Sequence, residues 1–331
     1  MIDDPTTKER PDMRKSVVTG AAGFIGACLA HRLLDDGWQV TGIDGFTDAY
    51  DPGEKLARAA ALVRREGFTL VSGHLADLRL AEHLDGAEVV FHLAGRAGVR
   101  ASFAQQALYR HDNVTSTAVL VRACQRSTSV RRLVYASSSS VYGDAPLPFR
   151  EDGPTAPVSP YGASKLDAER ICLAASRTRL ESVALRYFTV YGPGQRPDMG
   201  LRLFAEAAWA GRPISVFGDG SQSRDFTYVD DVADATYRAA TAPAAGLAIN
   251  VGGGSRVSIR EVLDILGGAV GKPLRVRLGP FARGDVLHTQ ADLSRASHLL
   301  GFHPSTSFRD GYRAEVEWAR HGAAAAVRQL A

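Results

Sequence analysis

Cysteine is scarce: the 331 residues hold three, Cys28, Cys124 and Cys172, far apart in the chain. That excludes a disulfide framework, and no C-x-x-C pair offers a zinc site. The reading is buried free thiols in a reducing cytoplasm. No unbroken apolar run of about 18 residues occurs, so no transmembrane helix is expected. A dominant charge is missing too. The 39 basic and 36 acidic residues leave a net +3, which points neither to nucleic acid nor to an anionic membrane. None of the nine histidines has metal-ligand spacing; His31, His92 and His111 read as packing or surface residues, and no metal is expected. Residues 1–13 lack a basic n-region and an apolar h-region, so they read as a flexible tail rather than a signal peptide.

What the chain does have is ordinary globular material: 45% apolar and 23% charged residues, enough for a large core. At about 150 residues per domain, the length suggests two domains. Short β-branched runs recur at 16–19, 39–43, 68–71, 89–93, 133–136 and 183–187. Helix-like stretches lie between most of them, at 26–34, 56–65, 103–126 and 161–175. Continuous apolar strands alternating with helices predict a parallel sheet covered on both faces, a doubly wound α/β fold. After about residue 188 the rhythm changes. A Gly/Pro-rich loop (191–200) precedes helix candidates at 201–210, 230–240, 259–269 and 308–320. Residues 247–251 look like a strand that returns to the sheet. The organisation expected is a Rossmann-type domain, 14–190 with 226–253 returning to it. A smaller interleaved α/β substrate domain takes 191–225 and 254–331.

The first strand runs into Thr19-Gly20-Ala21-Ala22-Gly23-Phe24-Ile25-Gly26. A strand, a glycine turn and a helix in this order form a phosphate cradle. Gly20 makes the tight turn, Gly23 lets the backbone approach a pyrophosphate, and Gly26 lets the helix pack close to the sheet. Free N–H groups and the helix dipole favour the anion. Asp44 closes the second strand. A carboxylate there bonds a ribose diol and repels a 2′-phosphate, which favours NAD over NADP.

A hydroxyl cluster, Ser137-Ser138-Ser139-Ser140, follows the fifth strand. Beyond it stands Ser159-Pro160-Tyr161-Gly162-Ala163-Ser164-Lys165. Ser159 suits a helix cap and Pro160 the first helical position. Tyr161 and Lys165 then share one helix face. A free phenol with a pKa near ~10 is a poor base; a neighbouring ammonium and a positive nicotinamide ring favour the phenolate.

With these motifs the chain resembles the extended short-chain dehydrogenase/reductases, specifically the nucleotide-sugar epimerases. The likeness runs from Arg14 to about Arg320 and takes in TGAAGFIG, the serine run ending in Val141-Tyr142-Gly143, and YGASK. It also includes His92-Leu93-Ala94-Gly95, Asn113, Arg186-Tyr187-Phe188 and Gly218-Asp219-Gly220-Ser221. The resemblance implies bound NAD, Tyr161 as base, Lys165 as its partner and Ser138 as the hydroxyl on the sugar. It places Asp77 and Leu78 at the adenine, Ala94 and Asn113 near the cofactor's inner half, and Tyr187 beside the nicotinamide. Gly95 stands where many members have Ala, a difference expected to matter little. Family members are usually homodimers; the helices to pair here are 103–126 and 161–175.

Related 4,6-dehydratases carry Asp-Glu after the catalytic hydroxyl, and UDP-glucuronate decarboxylases usually a Glu at the second of these positions. Here those positions are Ser139 and Ser140, so reversible oxidation at carbon 4, an epimerisation, remains. Thr189, followed by Arg196-Pro197-Asp198-Met199, is similar to UDP-glucuronate 4-epimerases, as is Ala97-Gly98-Val99-Arg100; UDP-galactose 4-epimerases typically have Asn at the Thr189 position. A carboxylate on carbon 5 wants hydroxyl and backbone donors. Ser139, Ser140 and Thr189 are the candidates, with Arg196 helping to close the site. Arg224 matches a family diphosphate ligand. Arg283 and Asp285 are candidates for diphosphate and ribose in a segment one residue shorter than the family's. The alternatives are UDP-galactose 4-epimerase activity, a decarboxylase-like enzyme and a non-catalytic NAD-sensing protein; Tyr161, Lys165 and Ser138 together favour an enzyme.

Overall fold

The computed structural model describes residues 14–281 and 284–329. The predicted tail at 1–13 therefore lies outside the described residues, as does Arg283. Strands β1 (Lys15–Thr19), β2 (Gln39–Asp44), β3 (Phe68–Ser72), β4 (Val89–His92), β5 (Arg132–Ser138) and β6 (Glu181–Tyr187) form where the apolar runs predict them. They pair in parallel. In a parallel sheet both faces are covered: β4 and β5 are buried throughout, whereas β3, at the edge of the sheet, buries none of its side chains fully.

Strands β7 (Thr189–Tyr191), β8 (Ile214–Phe217) and β9 (Ser223–Tyr228) follow. Then β10 (Ala248–Val251) returns and pairs with β6, giving one sheet in the order β10-β6-β5-β4-β1-β2-β3. Strands β11 (Arg256–Ser258) and β12 (Val276–Gly279) complete two small sheets, β11-β9-β7 and β12-β8.

Each face of the large sheet has its own core. On one, Leu29 and Leu33 of the helix Phe24–Asp35 pack with Val232 and Ala235 of the helix Val229–Arg238. On the other, Leu120 and Cys124 of the helix Ser116–Arg126 pack with Ala168 and Cys172 of the helix Pro160–Ala175. A third core, around Tyr191, Leu266 and Tyr312, lies away from the sheet. Arg202 joins the units by gripping Glu54 with two bonds of 2.6 and 2.9 Å.

The single helix expected over 103–126 starts only at Gln106, after a turn at 103–105, and runs on to Arg126 with a π segment inside it. A short helix at Val99–Ser102 precedes it; Gln106–Tyr109 leads into the wide π turn, Arg110–Thr115, and that into Ser116–Arg126. The extra residue per turn rotates Asn113 inward, where it is fully buried. Such turns mark functional sites. Between β1 and β4 the chain's strand order reverses, and in open α/β sheets ligands bind in the crevice off the strand ends at such a point.

Candidate active site

A cavity of about 800 Å³ opens off the carboxyl ends of the strands. Gly20, Gly23, Phe24, Ile25 and Gly26 line its floor. Gly20 has φ +72° and Gly26 is pressed so close that a Cβ would lie 2.0 Å from the Gly20 carbonyl oxygen. No side chain caps the helix Phe24–Asp35, and its first turn holds no acid. Its unpaired N–H groups therefore face the cavity with the positive end of the helix dipole, which fits a pyrophosphate.

Asp44, at the end of β2, is fixed before any ligand arrives. Its carboxylate accepts N–H bonds from Ala22 (3.0 Å) and Phe46 (2.9 Å). Lys55 sits 4.0 Å away, tied to the Thr47 carbonyl and hydroxyl at 3.2 and 3.3 Å. It is buried in the cavity wall, and nothing in the local sequence singles it out.

Beyond Asp44 the wall is Gly73, His74 and Leu75, not Asp77 and Leu78. Asp77 is exposed, and Leu78 packs under Gly73 from behind. His74 stacks on His111 at 4.9 Å, and both contact the carboxylate of Asp112. The fold thus brings together a trio that sequence spacing hid, with ligand atoms within 4.8 Å of one another. It is satisfied without a metal: Arg96 donates to Asp112 at 2.9 Å. Ala76 N–H donates to His74 Nδ1, which leaves the ring proton on the nitrogen facing Asp112.

Ala94 lines the inner cavity. Asn113 stands one layer back. Its side chain pairs with the backbone of Arg96 (2.6 and 3.0 Å) and donates to Ser164 at 2.9 Å. A Cβ on Gly95 would lie 2.9 Å from Asn113 Oδ1. An alanine at Gly95 would therefore need only a small shift of the Asn113 amide.

Ser159 caps the helix Pro160–Ala175 by accepting the Gly162 N–H at 3.1 Å. That helix presents Tyr161 and Lys165 to the cavity. Tyr161 and Ser138 both face the cavity. Burial raises the Tyr161 phenol above the ordinary value, against the pull of Ser138 and of the Arg196 guanidinium. Lys165 does not point at the phenol: its ammonium donates to the Ala136 carbonyl at 2.5 Å and lies 4.8 Å over the Tyr135 ring. Burial pushes it down to about 8. Ser138 also accepts the Ser140 N–H at 3.2 Å, starting a short turn that puts Ser139 and Ser140 on the cavity wall.

A buried network that sequence reading missed supports this face. Ser137 donates to Glu169 at 2.5 Å, and Arg186 grips the same carboxylate at 2.6 and 3.1 Å. Arg186 reaches Tyr142 at 2.9 Å, and Tyr142 donates to Asn250 at 2.6 Å. The helix carrying Tyr161, the ends of β5 and β6, and β10 are thereby locked together.

Thr189, Arg196, Arg224 and Asp285 line the outer half of the same cavity. Arg196 is paired with Asp198. Arg224 donates to the carbonyls of Ser223 (3.0 Å) and Leu287 (3.1 Å). Tyr187 contributes its ring to the wall, but its hydroxyl turns away to Thr236 at 2.7 Å. Phe217, Phe281 and Leu287 add apolar surface at the mouth. Among the described residues no helix is long and apolar enough to cross a membrane.

A family model described as the NAD dependent epimerase/dehydratase family matches residues 16–252. A UDP-glucuronate 4-epimerase of Thermodesulfobacterium geofontis is 38% identical over 310 residues, 92% of this chain and 95% of that protein. A UDP-glucose 4-epimerase of Mycolicibacterium smegmatis is 37% identical over 315 residues, 93% of this chain and 99% of that protein. The crystal structure of UDP-glucuronic acid 4-epimerase from Bacillus cereus, in complex with UDP-glucuronic acid and NAD, has a TM-score of 0.89 at 35% identity. The match covers 93% of this chain and 99% of that one.

Proposed function

The chain belongs to the NAD dependent epimerase/dehydratase family, and from that premise we propose that it interconverts UDP-glucuronate and UDP-galacturonate by inverting carbon 4. One observation carries the choice of reaction. The cavity that holds Tyr161 offers hydroxyls at Ser138, Ser139, Ser140 and Thr189 and a guanidinium at Arg196, with no acid in the serine run to drive elimination.

The glycine cradle and Asp44 fit the pyrophosphate and a ribose of NAD, with Ala94 and Tyr187 on the wall of its inner half. What NAD supplies when bound is a reversible hydride acceptor for carbon 4. Tyr161 would act as the base only as phenolate, which its burial disfavours and which the positive ring of bound NAD would favour; in that form it would take the proton of the 4-hydroxyl, with Ser138 beside it. Lys165, held on Ala136, keeps a positive charge beneath the site. The 4-keto sugar then turns about its diphosphate, and Tyr161 returns the proton when the opposite face is reduced. Arg224, on the outer wall of the cavity, would supply the cation that the diphosphate half needs, and Asp285 would meet the ribose.

Oxidising carbon 4 of a uronate makes a β-keto acid, which loses carbon dioxide when its carboxylate stands perpendicular to the ketone. Ser139, Ser140 and Thr189, which line the cavity, would hold the carboxylate out of that geometry. Replacing Thr189 with Val is expected to release carbon dioxide and UDP-4-keto-pentose; clean epimerisation at unchanged KM would count against this role.

The proposal extends to the assembly and setting of the chain. Residues 14–190 and 226–253 form the NAD-binding unit, and 191–225 with 254–331 the nucleotide-sugar unit. Two copies pair through the helices Ser116–Arg126 and Pro160–Ala175, which lie side by side on one face of the sheet. Three unpaired thiols suit the reducing cytoplasm. Light scattering tests the dimer.

The function itself is tested by incubating the protein with UDP-glucuronate and no added cofactor, following products by proton NMR. UDP-galacturonate is the expected product, with UDP-glucose turned over more slowly. No isomer with or without added NAD, or faster turnover of UDP-glucose, would overturn the assignment.

A further inference from the structure

Arg196 is not free to receive a substrate carboxylate, because it already holds one. Its Nε donates to Asp198 Oδ1 at 3.0 Å and its Nη2 to Oδ2 at 2.6 Å. These are the two parallel bonds by which a guanidinium fork takes a carboxylate. Both side chains line the cavity. The fork lies 5.7 Å over the Tyr50 ring, and its Nη2 also faces the Ala97 carbonyl at 3.5 Å.

The two partners differ in how firmly they are held. The Arg196 side chain is 15% exposed and that of Asp198 45%. Asp198 can swing to water at little cost, whereas a covered guanidinium left unpaired is costly. The reaction adds a second demand. To be oxidised on one face and reduced on the other, the sugar must turn over, so whatever grips its carboxylate must let go in mid-cycle.

We propose that Asp198 is the exchange partner for the substrate's carboxylate: it occupies the Arg196 fork whenever the uronate does not, so that the guanidinium passes between two carboxylates during turnover. This rests on the uronate reading given above. It makes Asp198 a specificity-determining residue that weakens uronate binding on purpose and keeps the clamp reversible. A neutral hexose has no group to displace Asp198 and is indifferent to it.

The test uses the NAD-loaded protein and the variant Asp198→Asn, which keeps the shape and removes the charge. A hydrogen bond to a charged group corresponds to roughly a tenfold change in binding. UDP-glucuronate is therefore expected to bind about tenfold tighter, and kcat to fall by about the same factor because the sugar is released less readily. Binding of UDP-glucose stays unchanged, and Asp198→Glu restores the original values. In an Arg196→Met background, Asp198→Asn should have no further effect. Unchanged or weaker uronate binding with UDP-glucose binding intact would overturn the proposal. Asp198→Ser carries the same expectation should Asp198→Asn fail to fold. A wild-type protein that does not epimerise UDP-glucuronate refutes the substrate reading instead, and that result is in hand before any variant is made.

Discussion

Lys165 should destabilise the fold that needs it. The residue is 7% exposed, and its ammonium makes one hydrogen bond, to the Ala136 carbonyl. Burial lowers it from the usual 10.5 to about 8. At pH 7 it is charged in both folded and unfolded chains, so the fold carries the whole cost of burying it, about 3 kcal/mol. Between pH 8 and 10.5 the folded chain has shed the proton and the unfolded chain keeps it. The unfolded state then binds more protons, stability rises with pH, and the cost fades. Lys165→Met keeps the length of the stem and removes the charge, at a packing cost of about 1 kcal/mol. The NAD-free variant should therefore be about 2 kcal/mol more stable at pH 7, a rise of several degrees in Tm. It should also be inactive. The assay is thermal unfolding of wild type and variant, both stripped of NAD, from pH 7 to 10. The gap should close across that range. A variant less stable than wild type at pH 7, or a gap indifferent to pH, would refute the reasoning.

Other substitutions separate the parts of the site. Tyr161→Phe should bind UDP-glucuronate normally and lose about 10²–10⁴ in kcat, read by the NMR assay. Gly26→Ala drives a Cβ against the Gly20 carbonyl; the protein should purify without NAD, seen in its absorbance ratio, and a NAD-loaded variant would contradict the cradle. Glu169→Gln leaves Arg186 buried without its counter-charge, and removing one partner of such a pair costs about 3–5 kcal/mol. A loss below about 1 kcal/mol in urea unfolding would show that the network does not carry the fold.

The large sheet was legible because its inner parallel strands, buried on both faces, leave continuous apolar runs; the edge strand β3 is read from its β-branched and aromatic residues although none is fully buried. The small sheets were not. Strand β8 alternates buried and exposed positions over only four residues, and β7 and β11 span three residues each. Signals that short, set among glycines and prolines, cannot be told from turns. The late start of the helix predicted at 103–126, after the turn at 103–105, and the π segment Arg110–Thr115 inside it are both small departures that helical periodicity over about twenty residues does not reveal.

At the site, what could be read was what is local. The glycine cradle and the Ser159–Lys165 segment each complete their geometry within one strand–turn–helix or one helix, so spacing alone reveals them. Residues whose task is set by a neighbour from elsewhere gave no such signal: Lys55 beside Asp44, Glu169 under Ser137, His74 against His111. The adenine end of the cavity shows how narrow the margin is. Strand β3 stops at Ser72, opposite Asp44, and the cavity lies just off the strand ends. The next residues on the wall must then be Gly73 to Leu75, while Asp77 comes after the chain has turned away. Where pairing stops decides which side chains line the cavity, and that endpoint is a property of two strands together. The chemistry of the reaction is thus written in contiguous motifs, whereas cofactor fit and substrate choice depend on contacts that exist only once the sheet has formed.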